Sequence, residues 1–182
     1  PTPESETPKI PESFLTFTES TFGFQLRSPP FWNVSTQVNP PLMAVMGDPH
    51  DENAPILQVR LGYNSEIVTP DAAVDQMLPQ LFSRSGFRTI DESFISLGDG
   101  SKGFHTTYQW RGESGEEQGI LFAAIRGSQN LVILVESSKE RIQAHQEELF
   151  TVISSVSFVD PEPFGIPREK ALTLYFDDGP LL

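Results

Sequence analysis

The densest set of potential ligands in the sequence is Asp48-Pro-His50-Asp51-Glu52-Asn53, whose carboxylates and imidazole could hold a hard cation. The stretch is proline-flanked and lacks the glycine-placed turn of a calcium loop. A solvated acidic loop is therefore the expected reading, with Asp48, His50, Asp51 and Glu52 kept as weak metal candidates. Asp177-Asp178-Gly179 reads first as a turn. The sequence has 3 histidines, His50, His105 and His145. His105 lies in mid-strand, and a hydrolytic triad would need a serine elbow and an acid converging on it. Gly112-Glu-Ser-Gly115 is not the Gly-x-Ser-x-Gly elbow and falls in a hairpin rather than between strand and helix. His145 is expected on a polar helix face, exposed to solvent.

Other chemistries fare no better. Glu116-Glu117 and Glu147-Glu148 are adjacent, and neighbouring side chains on a strand or helix point apart, so neither forms a glycosidase pair. No phosphate-cradling loop or dinucleotide glycine fingerprint is present. Asn33-Val-Ser35 fits a glycosylation acceptor. With 0 cysteines, thiolate metal sites, disulfides and cysteine nucleophiles are excluded. Catalytic residues and cofactors are expected to be none. Trp32 and Trp110 are left as a candidate binding surface, although a tryptophan on a strand face usually packs. The 14 phenylalanines mostly build the core.

These side chains belong to a chain of 182 residues, 37% hydrophobic, with net charge −13. Its length suits one domain with tails. Such a charge repels nucleic acid and anionic lipid surfaces. No apolar run approaches the roughly 20 residues of a membrane helix. Ten of the 16 prolines lie within residues 1–55 and none lies between Leu81 and Asp160, so the middle of the chain is the packed part. Residues 1–13, rich in Pro, Ser, Thr and Glu, read as a disordered linker. The chain starts at proline rather than methionine, and a leader peptide is inferred to be missing.

Alternation at period 2 marks strands at Leu15 and Phe17, at Phe22–Arg27, at Leu57–Tyr63 and as a short edge strand at Met43–Met46. Thr69 is a plausible N-cap with Pro70 at the first helical position. Val74, Met77, Leu78, Leu81 and Phe82 form one apolar stripe, with Pro79 breaking the helix near Asp75–Leu78. Four strands follow at about 87–97, 102–111, 117–126 and 130–137, separated by glycine turns. In the second, Phe104, Thr106, Tyr108 and Trp110 share one face and His105, Thr107 and Gln109 the other. The last two are apolar on both faces and belong at the sheet centre. A final helix starts from the capping box Ser137-Ser-Lys-Glu140. Short connections make the pairing antiparallel. The fold class is α+β: a central antiparallel sheet flanked by helices, an α/β/α sandwich.

Two stretches carry a resemblance. Phe17-Thr-Glu-Ser-Thr-Phe-Gly-Phe-Gln-Leu-Arg-Ser-Pro-Pro-Phe-Trp32 resembles the start of PsbP-like domains, and Ile153-Ser-Ser-Val-Ser-Phe158 is similar to their closing segment. The resemblance covers residues 14–159 and implies the same sandwich. Plant members serve the oxygen-evolving complex, and many bacterial relatives are exported; no metal-contacting residue of the family matches a motif here. The tail Arg168-Glu-Lys-Ala-Leu-Thr-Leu-Tyr-Phe-Asp-Asp-Gly-Pro-Leu-Leu182 resembles the first strand of peptide/nickel-class (family 5) extracellular solute-binding proteins, stopping before their Leu-Asp-Pro. It also reads as a last edge strand of the same domain, or as a disordered end. Together these imply a non-catalytic extracytoplasmic accessory domain, periplasmic or at the cell surface. It would sit between a lipid anchor and an ABC-transporter solute-binding domain in residues 160–182 and beyond. Its partners would be a protein or the adjoining domain, with no nucleic acid and with membrane contact only through the anchor. The alternatives are a free-standing assembly factor for a membrane complex and a small hydrolase.

Overall fold

The computed structural model describes residues 9–36, 42–64, 66–67 and 69–160. The tail that resembles a solute-binding protein lies outside the described residues. In chain order the elements are β1 (Leu15–Glu19), β2 (Phe24–Ser28), β3 (Asn33–Ser35), β4 (Leu42–Gly47), β5 (Ile56–Tyr63) and α1 (Pro70–Met77). There follow β6 (Arg88–Ser96), β7 (Lys102–Arg111), β8 (Glu116–Arg126), β9 (Gln129–Ser138), α2 (Lys139–Ala144), α3 (Gln146–Ser154) and β10 (Ser157–Phe158). Seven strands form one sheet in the order β3-β4-β5-β9-β8-β7-β6, every neighbouring pair antiparallel.

The apolar residues of β8 explain the layers. Ile120, Phe122 and Ala124 face one side, where they join Leu57, Val59, Ile133 and Val135 from the neighbouring strands. Ile142 of α2 and Leu149, Val152 and Ile153 of α3 close over them. Leu121 and Ala123 face the other side and meet Ala73, Val74 and Leu78 at and just after α1. A strand covered on both faces cannot alternate polar with apolar, which is why β8 and β9 read as continuous runs. The α+β sandwich expected from the sequence is the one observed.

Four local expectations are corrected. The strands near the N-terminus do not join the main sheet: β1, β2 and β10 form a separate three-stranded sheet, β1-β2-β10. Pro29 and Pro30, which cannot donate to a ladder, end β2, and Phe24 and Leu26 pack onto the same core as α2 and α3. The Met43–Met46 strand is internal, because the unforeseen β3 pairs outside it. The helix breaks at Pro79 as expected, in a 3-10 turn at Leu78–Gln80, but of the apolar stripe Leu81 still packs on the α1-side core while Phe82 is exposed. Proline at that position removes a helical donor and crowds the preceding turn.

The last correction is the final helix. Ser137 and Ser138 still pair with Gln118 and Glu117 in the sheet, so α2 starts only at Lys139 and no side chain caps it. The helix also breaks at His145, whose backbone leaves the helical range at φ −106°, ψ 8°. His145 is half-buried rather than exposed.

Candidate functional site

The acidic loop spends its polar groups on its own turns. The His50 amide donates to Asp48 Oδ1 at 2.8 Å and the Asn53 amide to Asp51 Oδ1 at 2.9 Å. Arg141 Nη2 donates to Asn53 Oδ1 at 2.5 Å, pinning the loop to α2. Asp48, His50, Asp51 and Glu52 are not brought together: among the described residues no group of three acids or histidines could hold a metal. Asp177–Gly179 lies outside the described residues. The two tryptophans do not share a surface. Trp32 is buried among the core residues on the α2–α3 side, whereas Trp110 packs on the α1 side. The sheet lies between them because Trp110 belongs to the Tyr108 face of β7.

His105 occupies the opposite face of that strand, under α3. Its ring stands edge-on to Phe150 at 4.7 Å, and its Nε2 lies 2.8 Å from Ser93 Oγ. Asp91 Oδ2 approaches the same nitrogen at 3.9 Å, while the buried Nδ1 has no partner among the described residues. A hydrolytic triad needs the acid on one ring nitrogen and the hydroxyl on the other. Here both meet Nε2, and the ring is sealed from solvent. Burial pushes the imidazole pKa down, opposed in part by Asp91. The folded protein therefore holds His105 neutral where the unfolded chain binds a proton. Stability from this source is present above the ordinary value of 6.5 and declines as pH falls below it. His105→Leu should flatten the wild-type loss of melting temperature between about pH 6.5 and 5. A variant profile parallel to wild type would refute this.

Beside α1 the structure assembles a group that spacing did not reveal. Arg84 binds Glu136 through both guanidinium nitrogens, at 2.5 and 3.3 Å, and lies over the Trp110 ring at 4.4 Å. The Tyr108 hydroxyl donates to Glu136 Oε1 at 2.5 Å, and its ring stacks on Trp110 at 5.6 Å. Both the arginine and the tyrosine ring pack against the Trp110 indole. Trp110 is half-buried and also lines a pocket of about 370 Å³ with Arg88, Gln109 and Glu116.

A second pocket, also of about 370 Å³, opens between α1 and the β5–β9 pair. Ile67, Ala73, Met77 and Val132 give it an apolar side, and Arg60 and Asn130 a polar one. Arg60 and Asn130 are neighbours across the ladder, since Arg60 pairs with Val132 and Gly62 with Asn130. Arg60 Nη2 donates to Gln58 Oε1 at 3.1 Å. Arg60 Nε and Asn130 Oδ1 are both buried and have no partner among the described residues. Leaving a buried donor or acceptor unpaired costs about 1–3 kcal/mol each. The alternation of β5 marks Arg60 as merely polar, and the turn at Gly127 draws Asn130 into a loop reading; only the overlying helix makes them a site.

No helix among the described residues is long and apolar enough to cross a membrane. No protein-family model matches the sequence, and no curated protein matches it significantly. Solved structures do match. The solution structure of cyanobacterial PsbP from Synechocystis sp. PCC 6803 is similar at a TM-score of 0.60 with 16% identity, over 80% of this chain and 92% of that one. LpqN of Mycobacterium tuberculosis, involved in cell envelope biogenesis, matches at 0.61 with 13% identity, over 80% and 90%. The Saccharomyces cerevisiae Ran-binding protein Mog1p matches at 0.57 with 11% identity, over 81% and 96%. At such identities the likeness is one of architecture, and the chain has the PsbP-like α/β/α sandwich fold.

Proposed function

We propose that this chain is a non-catalytic interaction domain of an exported protein. The observation that carries the reading is the contrast between its engaged and its idle polar groups. The His105 imidazole is sealed against Phe150 with the Ser93 hydroxyl on its Nε2, and the exposed Asp91 approaches that same nitrogen only at 3.9 Å. Two of the buried groups left without partners among the described residues, Arg60 Nε and Asn130 Oδ1, line one open pocket. That is an arrangement for binding rather than turnover. The fold is shared with a protein named for binding Ran and with one involved in cell envelope biogenesis, which agrees with a role in assembly.

The finer reading places residues 1–13 as a linker from a lipid anchor, 14–159 as the domain and 160–182 as the approach to a solute-binding domain. The Leu172-Thr-Leu-Tyr-Phe176 alternation favours this over a free-standing assembly factor. An alkaline phosphatase fused behind the full-length natural protein should be active, since that enzyme matures only outside the cytoplasm. Screens of ester and phosphate substrates should show no turnover. An inactive fusion would overturn the export reading, and saturable hydrolysis abolished by His105→Gln would overturn the non-catalytic one.

A further inference from the structure

We propose that the pocket between α1 and the β5–β9 pair binds the carboxylate end of an N-acylated apolar amino acid, with Arg60 taking the carboxylate and Asn130 Oδ1 the adjacent amide N–H. The inference extends the binding-domain reading by giving one site a ligand class. Three features set the chemistry. Among the described residues lining the pocket, Arg60 is the one that carries charge, in a chain whose net charge is −13. A planar guanidinium with an idle Nε edge suits a carboxylate, which it can grip through paired hydrogen bonds. Asn130, only 6% exposed, offers an acceptor with no donor. A carboxylate cannot fill that need, but the amide N–H one carbon away from it can. Diagonal neighbours on a ladder stand roughly 7–8 Å apart at Cα, a spacing that one such end group spans.

The rest of the pocket fixes the side chain. Ile67, Ala73, Met77 and Val132 offer an apolar wall, and pockets of roughly 300–1,000 Å³ are the ones that take small ligands. The volume of about 370 Å³ exceeds what a single bridging water of about 30 Å³ would occupy. Gly62 keeps the space open. A Cβ built there meets no atom within 4 Å, and the residue lines the pocket. A larger side chain at 62 would grow into the cavity without disturbing the packed layers.

Nuclear magnetic resonance titration of the folded chain with N-acetyl-L-leucine and with acetyl-Ala-Ala-Leu tests the proposal. Each peptide acid is compared with its C-terminal carboxamide. Saturable shifts should be confined to residues 60–63, 130–132 and the facing side of α1. The carboxamides should bind about tenfold more weakly, as should the acids to Arg60→Met, because one charged hydrogen-bonded pair is lost. Gly62→Leu should abolish the shifts while leaving the melting temperature unchanged. Tighter binding of the longer acid would identify the source as a peptide terminus, and equal binding a free acyl amino acid. Absence of saturable shifts at millimolar acid would overturn the proposal. So would equal affinity of acid and carboxamide, or undiminished binding to Gly62→Leu. A water bridging Arg60 Nε and Asn130 Oδ1 that no acid displaces would do the same. None of these outcomes touches the export and turnover tests above, so the two readings fail separately.

Discussion

Phe122→Ala should lower the unfolding free energy by about 3–5 kcal/mol, and Gly103→Ala by about 1–3 kcal/mol, yet the double variant should cost less than their sum. Phe122 is fully buried at the centre of β8 and fills the space between the sheet and the α2–α3 layer. On β7, Gly103 pairs with Ala124, and His105 pairs with Phe122, so Phe122 is the diagonal neighbour of Gly103. A methyl group at 103 would overlap the Phe122 ring, the first atoms it meets. The glycine is thus the hole into which the ring leans. With the ring removed, the same methyl enters the cavity and recovers contacts. Coupling of about 1–3 kcal/mol, opposite in sign to the single penalties, is the expected result of urea unfolding on the four proteins. Additivity within about 0.5 kcal/mol would show that ring and glycine do not share that space.

The same hairpin shows what the sequence can and cannot disclose. Gly98-Asp-Gly-Ser101 marks the turn, and Gly100 adopts the positive φ of 81° that favours glycine there. Counting outward from that turn puts Ser96 opposite Lys102 and Ser93 opposite His105, as observed. The histidine's partner was therefore legible in principle, because turn geometry sets hairpin register. Alternation along β7 likewise placed Tyr108 beside Trp110 and His105 on the other side. Long-range packing was not legible. Nothing in Phe24-Gln-Leu26 tells whether the strand pairs with β10 or joins the main sheet, since both choices bury the same residues. Arg60 and Asn130 illustrate the limit for sites. Arg60 looks solvent-facing by its alternation and Asn130 falls in a turn signal, and only a helix carrying Ala73 and Met77 over them converts two polar positions into one pocket. Glu136 is similar: it ends an apolar run, 52 residues from Arg84, and no local pattern predicts that they meet.

Raising the pH should destabilise the protein through Tyr108 by about 1.4 kcal/mol per pH unit above the ordinary tyrosine value of about 10. Burial pushes this phenol well above that value, and the Glu136 carboxylate that accepts its proton pushes it further, against a smaller opposing pull from Arg84. In the unfolded chain the phenol ionises near its ordinary value of 10.0, while the folded protein keeps its proton. Folding then requires uptake of a proton that alkaline solution withholds. The stability is fully present below the unfolded value and drains away as pH rises past it. Tyr108→Phe keeps the ring that stacks on Trp110 and removes both the hydroxyl and this linkage. Near neutral pH the variant should be weaker by about 1 kcal/mol, the worth of one hydrogen bond, because Glu136 retains Arg84. Roughly one pH unit above the tyrosine value the order should reverse, and the variant should become the more stable protein. Glu136→Gln should lower the Tyr108 ionisation without restoring the ordinary value, since burial remains. Denaturant midpoints between pH 7 and 11.5 decide the matter, with ultraviolet difference spectra following the phenolate. Parallel stability curves for wild type and Tyr108→Phe would show that Tyr108 ionises in the folded state as freely as in water. The Arg84–Glu136–Tyr108 cluster would then be a surface contact rather than the seal over the α1 face of the sheet.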